Sequence, residues 1–158
     1  MLRLVVFIVV IGTFVGALMP AREGRVPAAE AKAVTRTASG AVRLERLEDG
    51  HFYVHGEVNG QLARFLVDTG ASMVALTMED AERLGVDFSP SDFEVVGTGA
   101  SGPVRGQRVM LDKVIVEGRE AHQVEAAVLE GLTISLLGQS FLTRLGSIEM
   151  SGDYMLLN

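Results

Sequence analysis

The sequence contains no cysteine. Disulfides, thiolate nucleophiles and cysteine-held metals are therefore excluded. Histidine is almost as scarce, with 3 in the chain. His51 and His55 have a spacing that suits zinc on a helix, but they lie in a strand-like stretch. There, four residues span ~13 Å, too far for two ligands of one ion. Only His122 remains besides, so neither a metal site nor a cofactor is expected. The chain also lacks a G-x-S-x-G, a P-loop and a plausible Ser/His/Asp set. Positive charge is short beyond the amino-terminal stretch. The first 37 residues carry net +3, which leaves −9 for the remainder of a chain whose total is −6. An acidic domain of this kind is a poor match for nucleic acid.

What is present begins with an uncharged run, Leu4 to Met19, between Arg3 and Pro20. As a helix at ~1.5 Å per residue it reaches ~24 Å, slightly short of a bilayer core of about 30 Å. It is also somewhat longer than the apolar region of a secretion signal. Apolar residues cover every face, which argues against a buried core helix. Residues 1–20 are therefore expected to be a transmembrane anchor or a signal segment. Residues 21–40, rich in alanine with scattered charge and no apolar period, are expected to be a flexible tether. With no second span, residues 41–158 are expected to form one domain on one side of the membrane. The expected location is the inner (cytoplasmic) membrane, single-pass, with the domain on the periplasmic or extracytoplasmic side. Arg3 against Arg22 and Arg25 gives no clear positive-inside bias.

Within the domain the apolar period is mainly two. Phe52, Val54 and Val58 alternate with polar residues, Asn59-Gly60 gives a hairpin signal, and Leu62 to Val67 returns. Val74 to Leu76 is a further short strand. Thr77-Met78-Glu79-Asp80 then offers a hydroxyl cap and first-turn acids for a short helix that Gly85 stops. Strands are expected over Phe93–Val96, Val104–Val116 and Val124–Leu129. A second short helix is expected over Gln139–Leu145, followed by a terminal hairpin, Ser147–Met150 with Tyr154–Leu157. Many short strands and two small helices predict a mostly antiparallel β domain.

Gly97-Thr98-Gly99-Ala100-Ser101-Gly102 spells G-x-G-x-x-G, and Glu117 follows Gly97 by twenty residues. A dinucleotide site needs a helix directly after the glycines, because its amino terminus holds the pyrophosphate. Pro103, Val104, Arg105 and Gly106 open a strand-like run instead. The glycines belong to a hairpin tip.

Phe65-Leu66-Val67-Asp68-Thr69-Gly70-Ala71-Ser72 places one carboxylate at the end of an apolar strand, in a tight turn of small residues. As an ordinary turn residue, Asp68 would need no more than the glycine that permits the bend. The wider context is more specific, because an apolar-apolar-Gly turn, Leu136-Leu137-Gly138, lies about seventy residues on. In these segments, together with Ser135-Leu136-Leu137-Gly138-Gln139-Ser140-Phe141-Leu142, the chain resembles the retropepsin-like aspartic proteases. In particular it resembles their bacterial single-pass, membrane-anchored members, over about residues 50 to 157. The resemblance implies a mostly β, acid-protease-half barrel with two short helices after an N-terminal transmembrane helix.

It further implies an aspartic endopeptidase in which Asp68 from each subunit of a homodimer forms the catalytic pair, acting on an extended peptide. Two carboxylates about 3 Å apart cannot both ionise, so they share a proton and activate a water between them. Gly70 lets the backbone approach the carboxylates. By resemblance, Thr69 locks the two loops across the dimer axis, Ala71 lies within the loop, and Ser72 donates to the outer oxygen of Asp68. Leu137 and Gly138 pack beneath the loop. By position, Gly97, Gly99, Ser101 and Gly102 mark a candidate flap that closes over substrate, although the tip lacks the viral Ile-Gly-Gly run. Tyr154–Leu157 would join the other subunit's terminus, or else complete the monomer's own sheet. The competing reading is a non-catalytic, membrane-tethered peptide-binding or scaffolding domain of the same fold. A pure binder, however, has no need of a carboxylate held at Asp68.

Overall fold

The computed structural model describes residues 34–38, 40–99 and 102–158. The expected anchor over 1–20, most of the expected tether, and Ser101 of the candidate flap lie outside the described residues. Among the described residues no helix is long and apolar enough to cross a membrane.

The described residues make a mostly β fold with two short helices, as the patterning predicts. Tyr53–Val58 (β3) and Gln61–Val67 (β4) form the first hairpin, with Val58 opposite Gln61. Asn59 and Gly60 turn it with φ of 51° and 86°, the doubly left-handed turn that matches strand twist. Alternation does the rest: Val54, Val58, Ala63, Phe65 and Val67 point inward and are buried. Val74–Thr77 (β5) is buried at all four positions and runs into helix α1, Met78–Arg83. The Thr77 hydroxyl caps that helix by accepting from the Asp80 amide at 2.9 Å.

Glu94–Gly99 (β6), Gly102–Val116 (β7) and Arg119–Leu129 (β8) form a long meander. Strand β8 starts five residues before the expected Val124, because its first part is polar. Pairing with β7, Lys113 opposite His122 and Val116 opposite Arg119, makes it a strand all the same. Leu136–Leu137 (β9) is only two residues long and leads into helix α2, Gln139–Leu142.

These strands make one sheet in the order β3-β4-β9-β5-β8-β7-β6. Strand β3 also pairs with the far end of β7, Gly56 opposite Val116, so the sheet closes on itself and β6 remains as an appended edge. Two pairings, β4 with β9 and β5 with β8, are parallel. Because β9 lies between β4 and β5, the loop joining those two strands must cross the end of β9. That crossing positions the candidate site.

A second sheet has the order β1-β2-β11-β10, formed by Val34–Arg36 (β1), Val42–Glu45 (β2), Ile148–Ser151 (β10) and Tyr154–Leu157 (β11). The end of the segment expected to be a tether is thus a strand. Arg36 opposite Val42 and Val34 opposite Leu44 bind it to the domain. Strand β11 has neighbours of its own chain on both edges: Met155 faces Leu44 on one side and Met150 on the other. It therefore completes its own sheet, and the expectation that it joins another subunit's terminus is corrected. Its inward side chains Met155 and Leu157, with Val42 and Leu44, are buried in the main core.

Candidate active site

Asp68 follows the last residue of β4 and is half-buried, while Thr69 and Gly70 are exposed and Ala71 is fully buried. The loop rests on the end of β9. The Asp68 amide donates to the Leu137 carbonyl at 3.1 Å, and the Gln139 amide donates to the Ala71 carbonyl at 2.8 Å. Between these two anchors the chain bends tightly, with the Ala71 amide donating to the Asp68 carbonyl at 3.3 Å. The carboxylate is oriented from within the loop, since the Gly70 amide donates to its Oδ1 at 2.8 Å. A backbone donor of this kind fixes the direction in which the carboxylate points.

Leu137 and Gly138 lie directly against the Asp68 loop. Leu137 is fully buried and pairs with Val67. A Cβ on Gly138 would lie 2.6 Å from the Met73 carbonyl carbon and 2.8 Å from the Ala71 oxygen. Its φ of −100° suits any residue, so close approach of two backbones, not flexibility, requires the glycine.

Ser72 departs from expectation. Its hydroxyl is buried and has no hydrogen-bond partner, so the implied bond to Asp68 is not made. The Gly70 amide holds Oδ1 instead.

Polar residues around β9 do work that the sequence reading assigned to none of them. The buried Ser135 hydroxyl accepts from the Thr77 amide at 3.2 Å and donates to the Asp80 carboxylate, tying β9 to the start of α1. The Ser140 hydroxyl accepts from the Val74 amide at 2.9 Å and donates to the Glu125 carbonyl at 2.6 Å. The Gln139 side chain donates to the Thr69 carbonyl at 2.9 Å. Their only sequence signal is position, as hydroxyls and an amide within an otherwise apolar run.

The glycine-rich segment is a hairpin tip, and a strand, not a helix, follows it. Gly97 pairs with Val104 and Gly99 with Gly102. That geometry removes the dinucleotide reading. A bulge between Val95 and Gly97 bends the hairpin. At its base, Val96 and Val104 share an apolar cluster with Ala71 and Met73 of the Asp68 loop, separate from the main core. Arg108 and Arg105 brace β6 from β7 by donating to the carbonyls of Val96 and Phe93, at 2.9 and 3.0 Å. Two depressions, of about 330 and 360 Å³, adjoin Arg108 and Met110 of β7: one reaches Asn59 and Gly85–Asp87, the other Met73 and the Glu125–Ala126 stretch of β8. Among the described residues no group of three His, Asp or Glu converges as metal ligands would.

Comparison with known proteins places this arrangement. The family described as "gag-polyprotein putative aspartyl protease" matches residues 54–144. A retropepsin-like aspartic protease from Rickettsia conorii is similar in structure, with TM-score 0.63 and 36% identity, over 75% of this chain and 90% of that one. The protease of EIAV, solved with the inhibitor HBY-793, shares the fold at TM-score 0.51 and 21% identity, over 63% and 91% of the two chains. An uncharacterized protein of Rickettsia prowazekii is 37% identical over 123 residues, 77% of this chain and 53% of its own. Another, from the cobV 5′ region of a Sinorhizobium species, is 37% identical over 118 residues, 73% and 51% of the two chains. The chain thus spans about half the length of these curated relatives.

Proposed function

We propose, since this chain belongs to the retropepsin-like, gag-type aspartyl protease family, that it is an aspartic endopeptidase acting as a homodimer. The carrying observation is the Asp68 loop: a half-buried carboxylate aimed by the Gly70 amide and braced from below by β9. One chain brings one such carboxylate, and the chemistry uses two. In the proposed dimer Asp68 of each copy faces the other, about 3 Å apart, and the pair holds a single proton. The ionised member takes a proton from a water lying between them. The protonated member donates to the scissile carbonyl oxygen as the water oxygen attacks carbon. Collapse of the tetrahedral species breaks the C–N bond, and the amine leaves with a proton returned from the dyad.

Exposed Thr69 suits a contact between the two loops. The β6–β7 hairpin is the proposed flap: it is the free edge of the sheet, and strand addition there would hold an extended peptide. The uncharged run Leu4–Met19 supports a membrane-anchored form in the inner membrane, with the domain outside the cytoplasm.

The test is digestion of a mixed peptide library by the purified chain, read by mass spectrometry. Wild type should cut internal bonds, and Asp68→Asn should cut none while keeping its fold and self-association. Cleavage that survives in Asp68→Asn would remove the assignment. Peptide capture by wild type with no cleavage would favour the binding-module reading.

A further inference from the structure

We infer that Gln139 is a positioning residue for Asp68, acting through a single peptide plane; the inference rests on the reading of Asp68 as catalytic. The Gln139 side-chain amide donates to the Thr69 carbonyl oxygen at 2.9 Å. That carbonyl and the Gly70 N–H belong to one peptide unit. The unit is planar and trans, so its C=O and N–H point in opposite directions and cannot be aimed independently. At its other end the Gly70 N–H donates to Asp68 Oδ1 at 2.8 Å. Fixing the Thr69 oxygen therefore fixes the direction of the hydrogen that holds the carboxylate.

The need for such a hold follows from the turn itself. Gly70 has no Cβ to restrict the rotations on its side of the plane, and Thr69 and Gly70 are exposed. Left alone, this peptide unit could rotate and point its oxygen, not its hydrogen, toward the carboxylate. Gln139 opposes that rotation from a rigid base. It opens helix α2, and its own backbone amide is committed to the Ala71 carbonyl at 2.8 Å. One residue thus holds the carbonyls on both sides of Gly70. The bonds also run in series, amide to carbonyl and amide to carboxylate, so each polarises the next.

Two substitutions separate this role from ordinary packing. Gln139→Met keeps the length of the side chain and removes the donor. It should lower kcat about tenfold with KM within about twofold, since misaimed groups cost the chemical step more than binding. Gln139→Glu keeps the shape and makes the donor conditional. A protonated carboxyl can donate to the Thr69 oxygen, whereas the ionised form repels it. Its kcat should approach wild type at acid pH and fall toward that of Gln139→Met as the carboxyl ionises, near its ordinary pKa of about 4.3 or above. A purely structural role predicts no such pH-dependent rescue.

The same variants can be read without turnover. In an Asp68→Asn or wild-type background, Gln139→Met should move the Gly70 amide resonance upfield and speed its hydrogen exchange. An unchanged Gly70 amide, or equal kcat for wild type and Gln139→Met, would overturn the inference and leave the peptidase reading intact. Absence of cleavage by wild type, with a Gly70 amide that still responds to Gln139, would overturn the peptidase reading alone.

Discussion

Gly138 and Met73 touch backbone to backbone, with no room for a side chain between them. An ideal Cβ on Gly138 would stand 2.6 Å from the Met73 carbonyl carbon and closer still to its oxygen. Gly138→Ala must therefore push β9 away from the Asp68 loop. We expect a loss of about 1–3 kcal/mol in urea unfolding, with peptide cleavage falling further than stability. An alanine variant with wild-type unfolding and turnover would show that the two backbones separate freely.

Much of this arrangement is legible in the residues. The Asn59-Gly60 turn, the Thr77 cap, the terminal hairpin and the strand ending at Asp68 each follow from local chemistry, and each forms. What the residues do not disclose is pairing between distant segments. Leu136–Leu137 reads as the end of an apolar run, and only the sheet order shows it wedged between β4 and β5. The polar first half of β8 carries no apolar alternation, so its strand state comes from β7. Val42–Glu45 and Val34–Arg36 are too short to declare themselves and are strands because β11 and β2 offer them edges. At the site, Asp68, Gly70 and Gly138 are readable as a motif. Gln139 and Ser135 are not, because their importance lies in which backbone groups happen to face them.

Ser135 offers a second test. Its hydroxyl is wholly buried and serves both the Thr77 amide and the Asp80 carboxylate. Ser135→Ala removes the hydroxyl that the buried Thr77 amide donates to, while Asp80 keeps the Arg83 guanidinium, and the expected cost is about 1–3 kcal/mol by denaturant titration. For a chain of this size that lowers the melting temperature by about 2–4 °C per kcal/mol. If the loss is specific to this bond, Asp80→Asn combined with Ser135→Ala should destabilise by less than the two single changes added together.

Alkaline pH should expose Tyr53. Burial pushes its phenol up to about 12, and the hydrogen bond it donates to Asp49 at 2.7 Å, with the charge on Asp49, adds to the effect. An unfolded tyrosine titrates near ~10. The folded value is the higher one, so this contribution to stability is complete below pH ~10 and is lost as pH rises toward about 12. Urea midpoints should decline across that window in wild type and decline less in Tyr53→Phe. Identical slopes for the two proteins would dismiss the linkage.

Dilution should separate assembly from folding. Both edges of β11 are satisfied within one chain, so this central strand of the terminal sheet needs no partner from another subunit. The expected result is a folded monomer below the dimer's dissociation range, where the melting temperature no longer changes with concentration, together with cleavage per chain that falls as the proposed dimer dissociates. Loss of folded structure on dilution below the dissociation range would show that the subunit needs its partner in order to fold.

The crossing of the Asp68 loop over β9 also bears on how the protein is made. The Gln139 side chain and the Thr69 carbonyl meet across 70 residues of chain. Contacts so distant in sequence form late, because the intervening loop must close first. During translation the Asp-Thr-Gly turn emerges long before the segment that supports it, and a chain halted before Leu136 carries the aspartate without its shelf. In the proposed protease the aspartate therefore gains its support only once the segment from Leu136 to Gln139 has been made.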